Sequence, residues 1–268
     1  MSRAAIITDQ TLEALAEELL GALRDGRTLA PLTARHPGLT IDDAYRISLN
    51  LLRHREAAGE RLIGKKIGVT SRAVQEMLDV HQPDFGFLTD RMLYADGAEV
   101  SLAQAGLIQP RAEGEIAFML RDDLQGPGIT RDEVLEATAW VAPCFEIVDS
   151  RIDDWKIRIQ DTVADNASCG IFVIGETRVA PRDLDLAAAR MTIHKNDAFC
   201  TEGTGAAVQG HPAEAVAWLA NTLGAYGLPL KAGEIILSGA LAPLLPVTAG
   251  DRFHLTIDGL GSSRIAFC

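Results

Sequence analysis

Three glutamates in the middle of the chain are the residues best suited to chemistry. Glu113 and Glu115 are two residues apart in a run, residues 111–120, whose pattern predicts a strand, so their side chains project from one face. Glu146 lies in a second apolar run that begins at Pro143. Like charges held this close repel each other, and a carboxylate among apolar residues needs a positive partner. A site made only of carboxylate oxygens suits Mg²⁺ or Mn²⁺ better than zinc.

A solvated sheet face is the alternative interpretation of Glu113 and Glu115 taken alone. Short motifs such as Glu-x-Glu occur often without any metal, so the pair by itself is a weak signal. Glu146 favours the metal site, because three carboxylates converging from two strands repel one another unless a cation lies between them.

Composition and charge narrow the class of protein. The chain has 268 residues, of which 47% are hydrophobic, enough for one large domain or for one domain with a small satellite. Its net charge of −12 argues against partners such as nucleic acid or an anionic membrane, which require a basic surface. The sequence has no apolar run that could span a bilayer and no signal-peptide pattern, so we expect a cytoplasmic protein. The four widely spaced cysteines predict free thiols.

Two helices are predicted near the amino terminus. Thr8 can cap the first, whose apolar residues recur at helical spacing, and a capping box at Thr40 opens the second, which ends near Gly59. We assign these helices and their connector to a small N-terminal helical layer, residues 1–60. Their apolar stripes predict core packing rather than ligand contacts.

The rest of the chain, residues 61–268, is predicted to be a strand-rich catalytic domain with a few covering helices. Residues 62–69 predict a strand that sends Lys65 and Lys66 to opposite faces, so only one lysine can enter a site. Residues 81–86 are interpreted as a loop because proline and glycine punctuate them. Further helices are predicted after Ser71, from Thr130 to about Trp140 and from Pro212 to about Gly227, and strands at residues 234–238, 252–257 and 263–267.

Several stretches from about residue 61 to the end of the chain share the pattern of one enzyme family. They are residues 64–71, 82–86, 109–117, 145–151, 153–157, 161–170, 237–241 and 249–251. Together they closely resemble the 2-oxopent-4-enoate (2-hydroxypenta-2,4-dienoate) hydratases of the fumarylacetoacetate hydrolase superfamily, which act in the meta-cleavage degradation of aromatic compounds. One departure is that the family's Lys-Asn-Gly turn reads Lys195-Asn196-Asp197 here, and aspartate also tolerates this turn.

The resemblance implies a fold, a cofactor and a reaction. The fold would be mixed α/β (α+β), with a fumarylacetoacetate-hydrolase-like irregular β-barrel core. The cofactor would be a divalent metal, Mg²⁺ or Mn²⁺, held by Glu113, Glu115 and Glu146. The reaction would be that of a hydro-lyase, which adds water to 2-hydroxypenta-2,4-dienoate or a close homologue and gives 4-hydroxy-2-oxopentanoate.

Further residues receive roles from the same resemblance. Lys66 and Asp84 match catalytic positions near the reacting end of the substrate. Asp84, or a metal-bound water, is the candidate for handling the proton of the attacking water, while Lys66 could hold the enolate oxygen or supply a proton. Without the resemblance, each could be an ordinary surface or turn residue. Ser238 and Gly239 are candidates for binding the substrate, and Asp165 and Asn166 for supporting the site from behind, although all four could be purely structural.

Three alternative functions remain open from the sequence. A related 2-oxo-3-enedioate (4-oxalocrotonate) decarboxylase has a similar metal site, but its counterpart of residues 82–86 typically lacks the aspartate, so Asp84 favours the hydratase. Carbon–carbon hydrolysis in the same superfamily uses a His–Glu pair, for which His81 and Glu76 are candidates. A non-catalytic partner subunit of a decarboxylase is disfavoured, because a scaffold has no reason to retain three clustered carboxylates.

The expected partners are few. The small-molecule partner would be a 2-oxo or 2-hydroxy dienoate. We expect a homo-oligomer, since symmetric self-association is common among soluble enzymes, and a complex with a related decarboxylase or a downstream aldolase is conceivable from the resemblance. Nucleic acid and membranes are not expected, for the reason of charge given above.

Overall fold

Helices and strands alternate irregularly along the chain, for which a computed structural model describes residues 7–268. The helices are α1 (Asp9–Asp25), α2 (Leu32–Arg35), α3 (Ile41–Ala57), α4 (Arg72–Met77), α5 (Arg131–Ala137), α6 (Ile159–Ala164) and α7 (Pro212–Gly224). The strands are β1 (Leu62–Gly68), β2 (Asp84–Thr89), β3 (Leu93–Tyr94), β4 (Glu99–Val100), β5 (Arg111–Leu120), β6 (Thr138–Val148), β7 (Cys169–Ile174), β8 (Arg190–Lys195), β9 (Ala198–Thr204), β10 (Ile235–Leu237), β11 (Leu245–Pro246), β12 (Arg252–Ile257) and β13 (Gly261–Phe267).

These strands form two sheets that pack face to face. The larger, curled sheet has the order β2-β1-β10-β5-β6-β7-β3, with β11 paired to β5, and the smaller has the order β4-β13-β12-β8-β9. Between them lies the main core, in which Phe118 and Phe145 of the larger sheet share a cluster with Phe253 of the smaller one. Gly114 lies close to the smaller sheet at this contact, since an added Cβ would be 2.4 Å from the Met191 sulfur unless that side chain moved. The predicted mixed α/β fold is confirmed, and its predicted irregular β-barrel core takes the form of curled sheets.

The pairing register decides which side chains share the other face of the larger sheet. Glu113 lies directly opposite Glu146, while Lys66 lies opposite Leu237, which is itself opposite Ala117. Directly opposed residues point to the same side, and so do alternate residues along one strand. Lys66 and the three glutamates therefore project from a single face.

The amino-terminal helices form a second core with α6. Leu19 and Ile47 are fully buried there together with Val163 of α6. The Thr8 cap and the Thr40 capping box are both confirmed as the starts of α1 and α3. The boundary at residue 60 stays a prediction. None of the helices in the described part of the chain is long and apolar enough to cross a bilayer.

Two predictions of secondary structure were wrong. Residues 81–86 were expected to be a loop, but β2 begins at Asp84, because residues 84–89 pair with β1. The helix after Thr130 was expected to reach Trp140, but it ends at Ala137 and β6 begins at Thr138. Pairing along β5 outweighs helix propensity there. The strands β7, β8 and β9 lay outside the predicted set.

Candidate active site

The three glutamates meet on the inner face of the curled sheet. Glu113 and Glu115 lie on β5 and Glu146 lies on β6, and one carboxylate oxygen of each lies within 4.8 Å of the other two. The side chains of Glu115 and Glu146 are fully buried. The alternative of a solvated sheet face does not describe these two residues.

The buried oxygens of this cluster have few partners. Glu115 Oε1 and both oxygens of Glu146 accept no hydrogen bond within residues 7–268. Glu115 Oε2 accepts one from the Gly239 N–H at 2.8 Å. Apolar side chains continue the same face. They include Phe172 and the buried cysteines Cys144 and Cys169, whose thiols are free of disulfide bonds. Buried carboxylates with unused oxygens require a positive charge between them.

The protonation behaviour of the cluster leads to the same requirement. Burial and the neighbouring Glu146 raise the pKa of Glu113 to about 7, although Lys66 opposes the rise. The same two causes hold the pKa of Glu115 well above its usual range. A bound cation would remove the repulsion that favours the protonated forms. The donor set contains only carboxylate oxygens and therefore fits a hard divalent cation.

Lys66 faces the glutamates, whereas Lys65 does not. The Lys66 ammonium lies 3.2 Å from Glu146 Oε1 in a fully buried setting, as an ion pair without hydrogen-bond alignment. Burial opposes its charge, but Glu146 and the other acidic neighbours outweigh that effect and raise the pKa of Lys66. Lys65 pairs with Glu234 at 2.7 Å. The two lysines thus lie on opposite sides of β1, as alternation along a strand predicts.

Asp84 lies at the start of β2, next to Lys66. Its Oδ1 is buried and accepts no hydrogen bond in the described structure. Burial raises the pKa of Asp84 to about 6, while Lys66 acts in the opposite direction. A Cβ at Gly68 would collide with the Asp84 carboxylate and lie 3.3 Å from Lys66 Nζ, so only glycine leaves room for this pair. Asp84 is thus ionised near neutral pH and can take up a proton in mild acid.

The remaining predicted site residues lie behind these groups. Gly239 donates its N–H to Glu115 and has φ 109°, and a Cβ there would collide with Thr70. Ser238 is buried, and its hydroxyl has no hydrogen-bond partner in the part of the chain described. The cavity lining includes Ala240 but neither Ser238 nor Gly239. Their role in binding the substrate stays a prediction.

Asp165 and Asn166 support neighbouring backbone. Asp165 forms a buried ion pair with Arg151, with Oδ1 2.5 Å from Nε. The Asn166 side chain accepts from the Phe87 N–H at 2.7 Å and donates to the Phe87 carbonyl at 3.0 Å. Asn166 thereby fixes β2, the strand that carries Asp84.

A cavity of about 580 Å³ opens onto Lys66, Asp84 and Glu113. Most of its other walls are apolar, and they include Val69, Val74, Met77, Leu78, Ile157 and Leu244. Arg111 and Trp155, to which the sequence analysis gave no role, also line the cavity. The spacing of Arg111 from Glu113 was the signal that could have found the arginine, since residues two apart share a face.

The His–Glu pair considered for carbon–carbon hydrolysis is not assembled at this cavity. Neither Glu76 nor His81 is among the lining residues. Glu76 is exposed and pairs with Arg72 at 2.8 Å. The geometry therefore disfavours that alternative.

Comparison with known proteins places the chain among related enzymes. Residues 43–267 match the family model described as fumarylacetoacetate (FAA) hydrolase C-terminal. A 2-hydroxyhexa-2,4-dienoate hydratase from Comamonas testosteroni is 69% identical over 258 residues, which cover 96% of this chain and 98% of the relative. A 2-hydroxypent-2,4-dienoate hydratase from Pseudomonas putida is 58% identical over 221 residues, covering 82% of this chain and 99% of the relative.

A solved structure shares the complete fold. The 4-oxalocrotonate decarboxylase from Pseudomonas putida G7, complexed with magnesium and adipate, superposes with a TM-score of 0.95. It is 34% identical, and the match covers 98% of this chain and 99% of that one. Sequence similarity is thus higher to the two hydratases than to this decarboxylase, while the fold is common to the decarboxylase and this chain.

Proposed function

The chain belongs to the fumarylacetoacetate hydrolase family, and we propose that it is a metal-dependent hydratase of short 2-hydroxy-2,4-dienoates. The substrate would be 2-hydroxypenta-2,4-dienoate or its six-carbon homologue, formed in the degradation of aromatic compounds. One observation carries the proposal: Asp84 and Lys66 line one cavity together with Glu113, a member of the glutamate cluster. The identities of 69% and 58% to hydratases of these two dienoates support it.

Glu113, Glu115 and Glu146 would hold the divalent cation. Their unused buried oxygens support this assignment, and so does the magnesium in the related decarboxylase structure. We propose Mg²⁺ or Mn²⁺, because both accept carboxylate oxygens. When bound, the cation would supply positive charge for the substrate's carboxylate and C2 oxygen and would stabilise the charge that develops there.

Lys66 and Asp84 would handle charge and protons. As the dienol becomes a ketone, the C2 hydroxyl loses its proton and C5 gains one, and the charged Lys66 ammonium stabilises the C2 oxygen while that oxygen carries negative charge. Water then adds to C4 of the conjugated ketone. Asp84, ionised near neutral pH, accepts one proton of the water as the C4–O bond forms, and C3 gains a proton to complete 4-hydroxy-2-oxopentanoate.

The size and the walls of the cavity also indicate which group the substrate can carry at the end far from its carboxylate. A five-carbon acid fills only a small part of about 580 Å³, and the surrounding walls are mainly apolar. We therefore propose that the site accepts an apolar substituent at C5, such as the methyl group of 2-hydroxyhexa-2,4-dienoate. A second carboxylate at that end would lose its hydration without gaining a partner.

Turnover of matched substrates tests the proposed function. We expect the purified protein with Mg²⁺ to hydrate both the five- and six-carbon dienoates, with products identified by mass. The six-carbon 2-oxo-3-enedioate is the control for decarboxylation, the second candidate, which the TM-score of 0.95 favours. Release of CO₂ from the enedioate without hydration of either dienoate would reject the hydratase.

The expected assembly and compartment remain proposals of the same kind. We propose a cytoplasmic homo-oligomer, with a decarboxylase or a downstream aldolase as further partners. The family resemblance supports the oligomer, because symmetric assembly is common among such enzymes. Light scattering at micromolar concentration is expected to give a multiple of the 28.7 kDa chain mass, and a value near 28.7 kDa would exclude the oligomer.

A further inference from the structure

Arg111 is the second cationic side chain that lines the cavity, after Lys66. It is the first residue of β5 and lies two positions before Glu113 on the same face. Two residues span roughly 7 Å along a strand, which is within the reach of an arginine side chain. Arg111 and Glu113 therefore line one cavity from the same face of β5.

The Arg111 guanidinium is held flat against an aromatic ring. Its central carbon lies 4.4 Å from the centre of the Trp155 ring. Trp155 is itself fixed, because its indole N–H donates to the Gln109 carbonyl at 3.0 Å. The Gln109 side chain in turn donates to the carbonyls of Ser150 and Ile152 at 2.8 and 2.5 Å. A stacked guanidinium keeps its edge free for a planar bidentate partner such as a carboxylate.

The backbone beneath this platform is strained. Asp154 and Trp155 both have positive φ, 54° and 55°, a region that non-glycine residues rarely occupy. Such strain persists where surrounding contacts over-determine the conformation, and it concentrates at functional sites. Here the hydrogen bonds from Trp155 to Gln109 and from Gln109 to Ser150 hold the backbone in this conformation.

The charge of Arg111 is not matched by any acidic side chain. Within residues 7–268 its guanidinium forms neither an ion pair nor a hydrogen bond. By contrast, the buried Arg151 is fully engaged by Asp165 and by backbone carbonyls. Lys66 is also matched, since it pairs with Glu146.

We propose that Arg111, stacked on Trp155, binds the carboxylate of the substrate and so fixes the orientation of the dienoate in the cavity. This inference rests on the proposed function and assigns the anion-binding group of that site. Because the other lining cation is already paired, the cavity recognises one carboxylate, at the end near Glu113. The substrate class is then a monocarboxylate whose other end is apolar.

Binding of an unreactive analogue separates this role from catalysis. The probe is 2-oxopentanoate, which has the carboxylate and the C2 oxygen but lacks the reactive double bonds. We expect Arg111→Met to weaken Mg²⁺-dependent binding of this probe, measured by calorimetry, about 10- to 100-fold, as for a lost charge-assisted pair. The affinity of Arg111→Lys for the probe should lie between those of Arg111→Met and the parent. The KM for the dienoate should rise by a similar factor, while kcat changes only a few-fold.

Arg178→Met is the matched control. Arg178 stacks on Trp140 at 4.0 Å, and Trp140 lies opposite Met119 at the far end of β5. Removing that guanidinium deletes the same kind of contact outside the site and should leave probe binding unchanged. Without the probe, the affinity for Mg²⁺ should agree within about threefold among the parent, Arg111→Met, Arg111→Lys and Arg178→Met.

Two outcomes would overturn the inference. One is parent-like binding of 2-oxopentanoate by Arg111→Met, and the other is an equal loss of Mg²⁺ affinity, which would place Arg111 with the metal site instead. Failure of the proposed function is distinguishable from both. In that case the parent would bind the probe through Arg111 but would not hydrate either dienoate.

Discussion

Removal of the divalent cation by a chelator is expected to abolish hydration of the dienoate, and Mg²⁺ or Mn²⁺ is expected to restore it. The reason is the glutamate cluster, in which Glu115 and Glu146 bury oxygens that no donor satisfies in residues 7–268. Charge stabilisation by a bound cation lowers the activation barrier by several kcal/mol, so we expect its removal to reduce the rate at least about a thousandfold. Initial rates in exhaustively metal-free protein measure it.

Glu113→Gln should reproduce this loss within the chain itself. The amide removes one negative charge and one strong ligand, so Mg²⁺ affinity should fall about 100-fold, with the loss of activity partly recovered at high Mg²⁺. Glu234→Gln is the control, because the same change is made at a glutamate that pairs with Lys65 and lies outside the cavity. Full turnover by the metal-free parent, or equal Mg²⁺ affinity in Glu113→Gln, would contradict the assignment.

The parts of the site that follow local rules could be predicted from the sequence. Alternation along a strand places Glu113 beside Glu115 and separates Lys66 from Lys65, and the structure has both arrangements. These rules need only the neighbouring residues of one strand. They held because β5 and β1 are regular where these residues lie.

The parts that depend on distant contacts could not be predicted. Gly239 holds Glu115 from 124 residues away, and Asn166 fixes β2 from 79 residues away. The Asn166 contact, together with pairing to β1, makes a strand of residues that resemble a loop, and Asp84 is buried there. Arg111 was missed for a related reason, since only the fold shows that it is stacked on Trp155 and that it has no acidic partner among residues 7–268.

Asp84→Asn is expected to lose hydration activity while gaining stability. The amide keeps the shape of the side chain but cannot accept the proton of water, and general-base contributions are about 10²- to 10⁴-fold in rate, or roughly 3 to 5 kcal/mol. Mg²⁺ affinity should change little, because Asp84 is outside the glutamate cluster. Asp90→Asn is the control, since Asp90 follows the same strand but pairs with Arg61 on the surface.

The gain in stability should depend on pH in a defined direction. Burial raises the pKa of Asp84 from 3.8 to about 6 in the folded protein, so the folded state retains a proton that the unfolded chain releases. This contribution is complete below pH 3.8 and is lost as the pH rises through about 6. Asparagine avoids the loss, so the metal-free variant should exceed the parent in unfolding free energy by on the order of 1–3 kcal/mol at pH 8, and by little at pH 4. Denaturant unfolding at the two pH values measures the difference. If Asp84→Asn hydrates the dienoate at nearly the parent rate, Asp84 is a structural residue. If the stability difference between variant and parent is the same at both pH values, the buried charge of Asp84 is not what destabilises the fold.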